Sequence, residues 1–337
     1  MAGISHKQLI ANIVSGQIEK TYILHGEEPY FIDAIAEALI EHALPEQDKA
    51  FDQVILYGKD AEPLSLLSEL KNYPMLAQRK LVVLKEAQDM KTLEQLAPYF
   101  EQISDRTIFV ICHKYKTIDS RKKMLKDAQK TGTVFKSEKV RDYQLVEWIS
   151  NYVKGRGMQI SSKAALLLAE FLGNDLGKIV NEINKLEIVL GKKASINDEH
   201  IELHIGISKD YNVYELNNAL ALKDSVKAMK IVDYFRQNPK QSDVIAMISS
   251  AFRLYSQLMR IQFSKVKSQE HIAGILKVHP FAAGELIKQA RNFDAKKLAT
   301  NIGILHEYDL RSKGIGTSSM VNKSDLMFEM VYRLLND

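Results

Sequence analysis

TYILHGEEPYFIDAIAEAL (residues 21–39) carries three structural signals in succession. The apolar run Thr21–His25 reads as a short buried strand, Gly26 opens a turn, and Pro29 suits the first turn of a helix. Phe31, Ile35 and Leu39 recur at a spacing of four along one face of that helix. Strand, turn and helix in this order form the opening unit of an α/β fold. In a nucleotide-binding α/β domain the same turn is Gly-rich, so that backbone donors surround the phosphates, and it ends in Lys followed by Ser or Thr. Here Gly26 is present, but no Lys-Ser/Thr pair follows at the needed spacing. Pro29 removes a backbone donor, and Glu27 and Glu28 bring carboxylates to the place of a polyphosphate. A plain strand-to-helix turn and a degenerate phosphate loop both remain open, and both disfavour nucleotide binding in the usual mode.

Outward from this unit, FDQVILYG, KLVVLKEA, RTIFVICH and GTVFK supply further short apolar runs. Helical stretches around Pro63–Lys71 and Ser120–Lys130 lie between or after them. At the amino end, Ser5 is placed to cap a first helix, with Gln8 as its capping-box partner. The rhythm predicts a mostly parallel sheet flanked by helices over residues 1–137. After Val140 the pattern turns almost wholly helical. DYQLVEWISNYVKGRG sets Leu145, Trp148, Ile149 and Tyr152 on one side of a helix. DLGKIVNEINKLEIVLG repeats Leu176, Ile179, Val180, Ile183, Leu186 and Leu190 at helical intervals before Gly191. Asn197 is a candidate cap for the next helix, and SKDYN, near Ser208, a candidate hinge. Helical stretches then alternate with polar breaks at Lys223-Asp224 and Asn238-Pro239, and SKGIGTSS reads as a loop before the last helix. A helical bundle fits residues 208–337.

Composition narrows the function classes. The net charge of +4 is too small to announce a nucleic-acid binder. Divided at the predicted boundaries, it becomes −1 for residues 1–137, −1 for 138–207 and +6 for 208–337, a basic carboxy-terminal part behind two nearly neutral ones. Cys112 is the single cysteine, which excludes an intrachain disulfide and a thiolate metal cluster and suits a reducing compartment. The start of the chain meets Lys7 before any long apolar run, and no run approaches the roughly 18–20 residues that span a bilayer. A cytoplasmic protein with no membrane association is expected.

Candidate chemistry is sparse. Glu86 and Asp89 follow an apolar strand, where a magnesium-holding carboxylate would lie in a nucleotide hydrolase, but no phosphate-binding lysine accompanies them. Cys112 and His113 are adjacent in a strand and therefore point to opposite faces, which makes them a poor nucleophile-base pair. His25 reads as a strand-end residue. Arg121, Lys122 and Lys123, and the pair Lys265 and Lys267, are basic clusters without an aromatic platform. Between a helix and the next strand, Tyr73, Pro74, Met75 and Leu76 form a segment in which Met75 and Leu76 can either pack into the core or project as a small apolar wedge toward another protein.

YILHGEEPYFIDAIAEAL, PMLAQRKLVVL, GNDLGKIVNEINKLEIVLG and HPFAAGELIKQARNFDAKKLATNIGILHEYDLRSKG, in this order over nearly the whole chain, resemble the delta-subunit family of bacterial DNA polymerase III clamp loaders. The resemblance implies an AAA+-like α/β domain with a clamp-binding element (1–137), a small helical lid domain (138–207) and a helical collar domain for hetero-oligomerisation (208–337). It implies binding and opening of the sliding clamp (beta) for ATP-dependent loading onto primed DNA. Partner motor subunits (gamma/tau), together with a delta-prime subunit, would supply the ATP chemistry. The chain itself would have no functional phosphate loop at Gly26, Glu27, Glu28 and Pro29, no catalytic residue, no metal and no cofactor. The clamp-binding residues implied are Met75 and Leu76, where the family's pair often contains Leu and Phe. Rival expectations are a non-replicative AAA+-derived interaction scaffold and an ATP-dependent nucleic-acid enzyme.

Overall fold

Central parallel strands are buried on both faces and need continuous apolar runs, as KLVVL, TIFVIC and TYIL supply in the first part of the chain. In the computed structural model, which describes residues 4–206, 208, 211–238, 243–316 and 323–337, contacts divide the chain into two units, residues 1–140 and 141–337.

The first unit contains α1 (His6–Val14), β1 (Thr21–Gly26), α2 (Pro29–His42), α3 (Lys49–Asp52), β2 (Gln53–Tyr57), α4 (Pro63–Lys71), β3 (Lys80–Lys85), β4 (Thr107–His113), α5 (Lys123–Thr131) and β5 (Gly132–Ser137). Short 3-10 turns occupy Ala87–Asp89 and Leu93–Gln102 between β3 and β4. The strands form one sheet in the order β2-β3-β4-β1-β5, with every pairing parallel. β1 is buried along its whole length. Ile23, Val82, Leu84, Phe109 and Ile111 share a core with Leu66, Leu67 and Leu70 of α4 and Met124, Leu125 and Ala128 of α5. α2 packs against β1, β4 and β5 and buries Phe31, Ile32, Ile35 and Leu39, so the spacing of four marks its inward face. β2 is an edge strand with Ile55 and Tyr57 exposed.

Two local expectations change. Ser5 caps α1 by accepting the Gln8 N–H (3.2 Å), but the Gln8 side chain donates to Asn12 (3.0 Å) and leaves the capping box open. The helix expected from Ser120 starts at Lys123. Asp119 accepts both the Arg121 backbone N–H and its guanidinium, a turn that competes with helix.

Among the described residues the second unit is helical apart from two short parallel strands, β6 (Gln159–Ile160) and β7 (Ser195–Ile196). α6 (Asp142–Gly155), α7 (Ser162–Leu172), α8 (Leu176–Leu190) and α9 (Asp198–Ile205) include the contacting pairs α6–α7, α7–α8, α7–α9 and α8–α9. α6 buries Leu145, Ile149 and Val153, while Trp148 and Tyr152 are half-buried and stack on each other at 5.4 Å. Asn197 caps α9 through the His200 N–H (3.0 Å). α10 (Val213–Leu222), α11 (Ser225–Gln237), α12 (Val244–Gln262), α13 (Gln269–Leu276), α14 (Pro280–Ala290), α15 (Ala295–Ser312) and α16 (Lys323–Asn336) surround one apolar core that includes Tyr255, Leu258, Leu305 and Val331. The polar break at Lys223-Asp224 is a left-handed helix end at Lys223 followed by an Asp224 cap on the Lys227 N–H. Lys163 of α7 lies 3.9 Å from Glu215 of α10. Pro239, Lys209 and Asp210 of SKDYN, and SKGIGTSS beyond Gly316 lie outside the described residues. Among the described residues no helix is long and apolar enough to cross a membrane.

Ile23 is fully buried in a strand flanked on both sides. Ile23→Ala should lower stability by about 3 kcal/mol through lost burial and a residual cavity, measured as a shift of the urea-unfolding midpoint of the first unit.

Candidate functional site

The turn after β1 is closed by its neighbour β5. Gly26 has φ 145°, and a Cβ there would stand 1.9 Å from the Ser137 carbonyl oxygen, so only glycine fits. The Glu27 N–H donates to the Ser137 carbonyl (2.9 Å), and the Ser137 hydroxyl donates to the Glu28 carbonyl (2.6 Å). Glu28 is buried, and its carboxylate accepts the Tyr30 N–H (3.2 Å) at the start of α2. Pro29 has no N–H to offer. The Glu27 and Tyr30 donors, both near the position of a bound phosphate in this kind of turn, are thus engaged by the chain itself.

The neighbouring strand ends hold a cation of their own. Lys114 follows β4, is buried, and places its Nζ 2.7 Å from both Asp33 Oδ1 of α2 and Glu86 Oε1 after β3. Gln88 completes the arrangement, its amide oxygen accepting the Lys114 N–H (2.9 Å) and its amide nitrogen donating to Glu86 (2.5 Å). Burial alone would push the Lys114 ammonium down, but the two carboxylates reverse this and hold it above its ordinary value. Burial also works against ionising Glu86, and there Lys114 and Gln88 prevail, holding the carboxyl below its ordinary value. Glu86, at the strand end where a nucleotide hydrolase would hold magnesium, is engaged by an ammonium. Asp89 lies exposed on the next turn. In the sequence Lys114 is marked only as a basic residue ending an apolar strand. Among the described residues no group of three or more His, Cys, Asp or Glu is placed to hold a metal ion.

The other singled-out side chains do not assemble a nucleophilic site. Burial pushes the Cys112 thiol up to about 12, with nearby Asp33 adding to the effect, so the reactive thiolate is suppressed. His25 is buried, and its Nδ1 accepts the Ile118 N–H (3.1 Å). Burial, then His113 and Lys136, push its pKa down to about 4. Arg121 pairs with Asp119 and Lys122 with Glu94, while Lys265 and Lys267 are exposed between α12 and α13.

At the opposite end of the sheet, α4 stops at Lys71 and the chain runs through an eight-residue segment, 72–79, into β3. Pro74 favours an extended predecessor. Tyr73, Met75 and Leu76 are 73%, 75% and 62% exposed, so the alternative of core packing for Met75 and Leu76 does not describe this geometry. The backbone beneath them is held. Asp52, which ends α3, accepts the N–H groups of Met75 (2.5 Å), Leu76 (2.8 Å) and Ala77 (2.7 Å). Farther along, the Arg79 guanidinium donates to the Ile18 carbonyl (2.9 Å) and the Lys80 N–H to the Arg106 carbonyl (2.7 Å). Asp52 was not found from the sequence, because its partners lie 23 to 25 positions away.

Residues 22–138 match the family model described as DNA polymerase III, delta subunit, and residues 210–332 match that of the DNA polymerase III delta subunit, C-terminal domain. The DNA polymerase III subunit delta of Bacillus subtilis is 24% identical over 314 residues, 90% of each chain. A probable DNA polymerase III subunit delta of Aquifex aeolicus is 23% identical over 254 residues, 71% of this chain and 70% of its own. Among solved structures, the Bacillus subtilis DNA clamp loader delta protein shares the fold, with a TM-score of 0.57 at 20% identity over 99% of this chain and 100% of the other.

His25 gives this region a pH signature. An unfolded histidine titrates near 6.5, and the folded group near 4, so between these values the unfolded state binds more protons and stability falls as pH falls. NMR titration should show His25 neutral, with the proton on Nε2, down to about pH 4, and His25→Gln should flatten the stability slope between these limits. A His25 midpoint near its ordinary value would contradict the buried Ile118 contact.

Proposed function

Because the chain belongs to the delta-subunit family of bacterial DNA polymerase III clamp loaders, we propose that it binds and opens the sliding clamp while taking no part in ATP hydrolysis itself. Its fold is that of the family, an AAA+-like α/β region on a parallel sheet followed by a helical region. The observation that carries the clamp reading is the exposure of Met75 and Leu76 on a segment whose backbone is tied down. A small apolar anchor with a polar surround is the usual form of a protein-binding hot spot. Docked in an apolar pocket of the clamp, the pair would favour whichever clamp conformation presents that pocket best, and a ligand shifts an equilibrium by its differential affinity for the two states.

The closed turn at Gly26–Pro29 and the Lys114 ion pairs support the reading that this chain binds no nucleotide. Motor subunits of the gamma/tau kind would then supply ATP chemistry, with delta-prime completing the loader around primed DNA. We assign residues 1–137 to the clamp-binding domain, 138–207 to the lid and 208–337 to the collar. The +6 charge of the last part suits a place near DNA. The buried, unreactive Cys112 thiol suits the cytoplasm.

Replacing both Met75 and Leu76 by Ala should weaken binding to the purified sliding clamp by about 100-fold, as expected for loss of two anchor side chains. Co-purification with the motor subunits should be unchanged. Unaltered clamp affinity would refute the assignment. Equilibrium binding of labelled ATP with magnesium to the isolated chain should show no saturation up to about 1 mM, and tight binding would refute the nucleotide reading.

A further inference from the structure

A binding loop that is disordered before its partner arrives must be ordered during docking, and that cost is taken from the affinity. Segment 72–79 avoids such freedom in an unusual way. A single carboxylate, Asp52, accepts three consecutive backbone N–H groups, those of Met75, Leu76 and Ala77. The carboxylate is only 1% exposed as a residue. A buried charge is tolerated when hydrogen bonds compensate it, and here the compensation comes from the turn that carries the apolar pair. Burial raises the Asp52 carboxyl, but the donors from Ala77, Met75 and Leu76, with Lys80 nearby, outweigh it and hold the group below its ordinary value. The side chains of Met75 and Leu76 are meanwhile left outside.

The meeting of Asp52 with this turn follows from strand register. Gln53 pairs with Leu81 in the parallel β2–β3 ladder, so the residue before β2 lies beside the residues that lead into β3.

We propose that Asp52 is a positioning residue for the clamp contact, holding the Met75–Ala77 backbone in one turn so that both apolar side chains face outward before the clamp arrives. The proposal rests on the reading of Met75 and Leu76 as the clamp anchor. Asp52 touches no partner in this account and acts only through the three amides. Asp52→Asn keeps the shape but exchanges an accepting oxygen for a donating NH2 group, which leaves at least one of the three amides without its acceptor. Asp52→Ala removes all three hydrogen bonds.

The test uses the full chain and the purified sliding clamp. Affinities are measured for the wild type, Asp52→Asn, Asp52→Ala, the Met75→Ala/Leu76→Ala pair, and that pair combined with Asp52→Asn. Amide hydrogen exchange is followed at residues 75–77 in the free chain. Both Asp52 variants should bind about 10-fold more weakly, and Asp52→Asn should cause no further loss once Met75 and Leu76 are gone, the non-additivity expected of residues acting through one contact. Exchange at 75–77 should accelerate while β1 and β4 amides remain protected.

If the Met75→Ala/Leu76→Ala pair binds like the wild type, the anchor reading fails and takes the positioning role with it. If that pair is weak but Asp52→Asn binds normally despite faster exchange at 75–77, the anchor stands and the positioning role is overturned. An equal loss from Asp52→Asn with and without the anchor also overturns it. Should neither Asp52 variant fold, the wild-type chain alone decides. Protected 75–77 amides before any clamp is added support the proposal, and exchange there at the rate of an unstructured peptide overturns it.

Discussion

The parallel pairing of all five strands in residues 1–140 gives the sheet two chemically different ends, and the features of interest in this unit sort between them. At the carboxyl end lie Gly26, Glu86, Lys114 and Ser137, where an open α/β sheet ordinarily receives a ligand. At the amino end lie Asp52, the 72–79 segment, Ile18 and Arg106. Had β2 or β3 alone run the other way, Asp52 and the turn it holds would have stood at opposite ends of the sheet.

The carboxyl end is filled by the chain's own groups. Ser137 bonds to Glu27 and Glu28, and Lys114 stands between Asp33 and Glu86. A buried ammonium held by two carboxylates satisfies charges that would otherwise be costly to desolvate. This pairs the charges at the strand ends with one another. The amino end shows the complementary design. Its hydrogen bonds hold backbone, and its apolar side chains are exposed to solvent. The two ends thus differ in what is bonded: at one, charged side chains are paired with one another, and at the other, backbone amides are held while apolar side chains stay exposed.

Much of the fold was legible in local pattern. The four-residue spacing of Phe31, Ile35 and Leu39 marked the inner face of α2, and apolar runs marked the strands, most clearly the central β3, β4 and β1, which are buried nearly along their whole length. Asn197 and Ser5 were readable as caps, since a cap depends on bonds within three residues. The start of α5 was misplaced because Asp119 engages Arg121 in a turn, a local competition that helix periodicity does not register. Val153, rather than Trp148 or Tyr152, completes the buried stripe of α6, because the two aromatic rings satisfy each other at its border.

Local chemistry in the amino-acid order was enough to establish the strand-turn-helix opening, the lack of a phosphate-binding lysine, the helical second half and the family, because each rests on residues a few positions apart or on motifs in sequence order. Which side chains meet was settled in three dimensions. Asp52 reaches amides 23 to 25 residues away through the β2–β3 register, and Lys114 at the end of β4 reaches Asp33 of α2 through the packing of that helix on the sheet. Whether Met75 and Leu76 pack inward or face solvent was likewise undetermined by their apolar character. The hydrogen bonds that Asp52 accepts fix the backbone beneath them, and the fold leaves both side chains exposed.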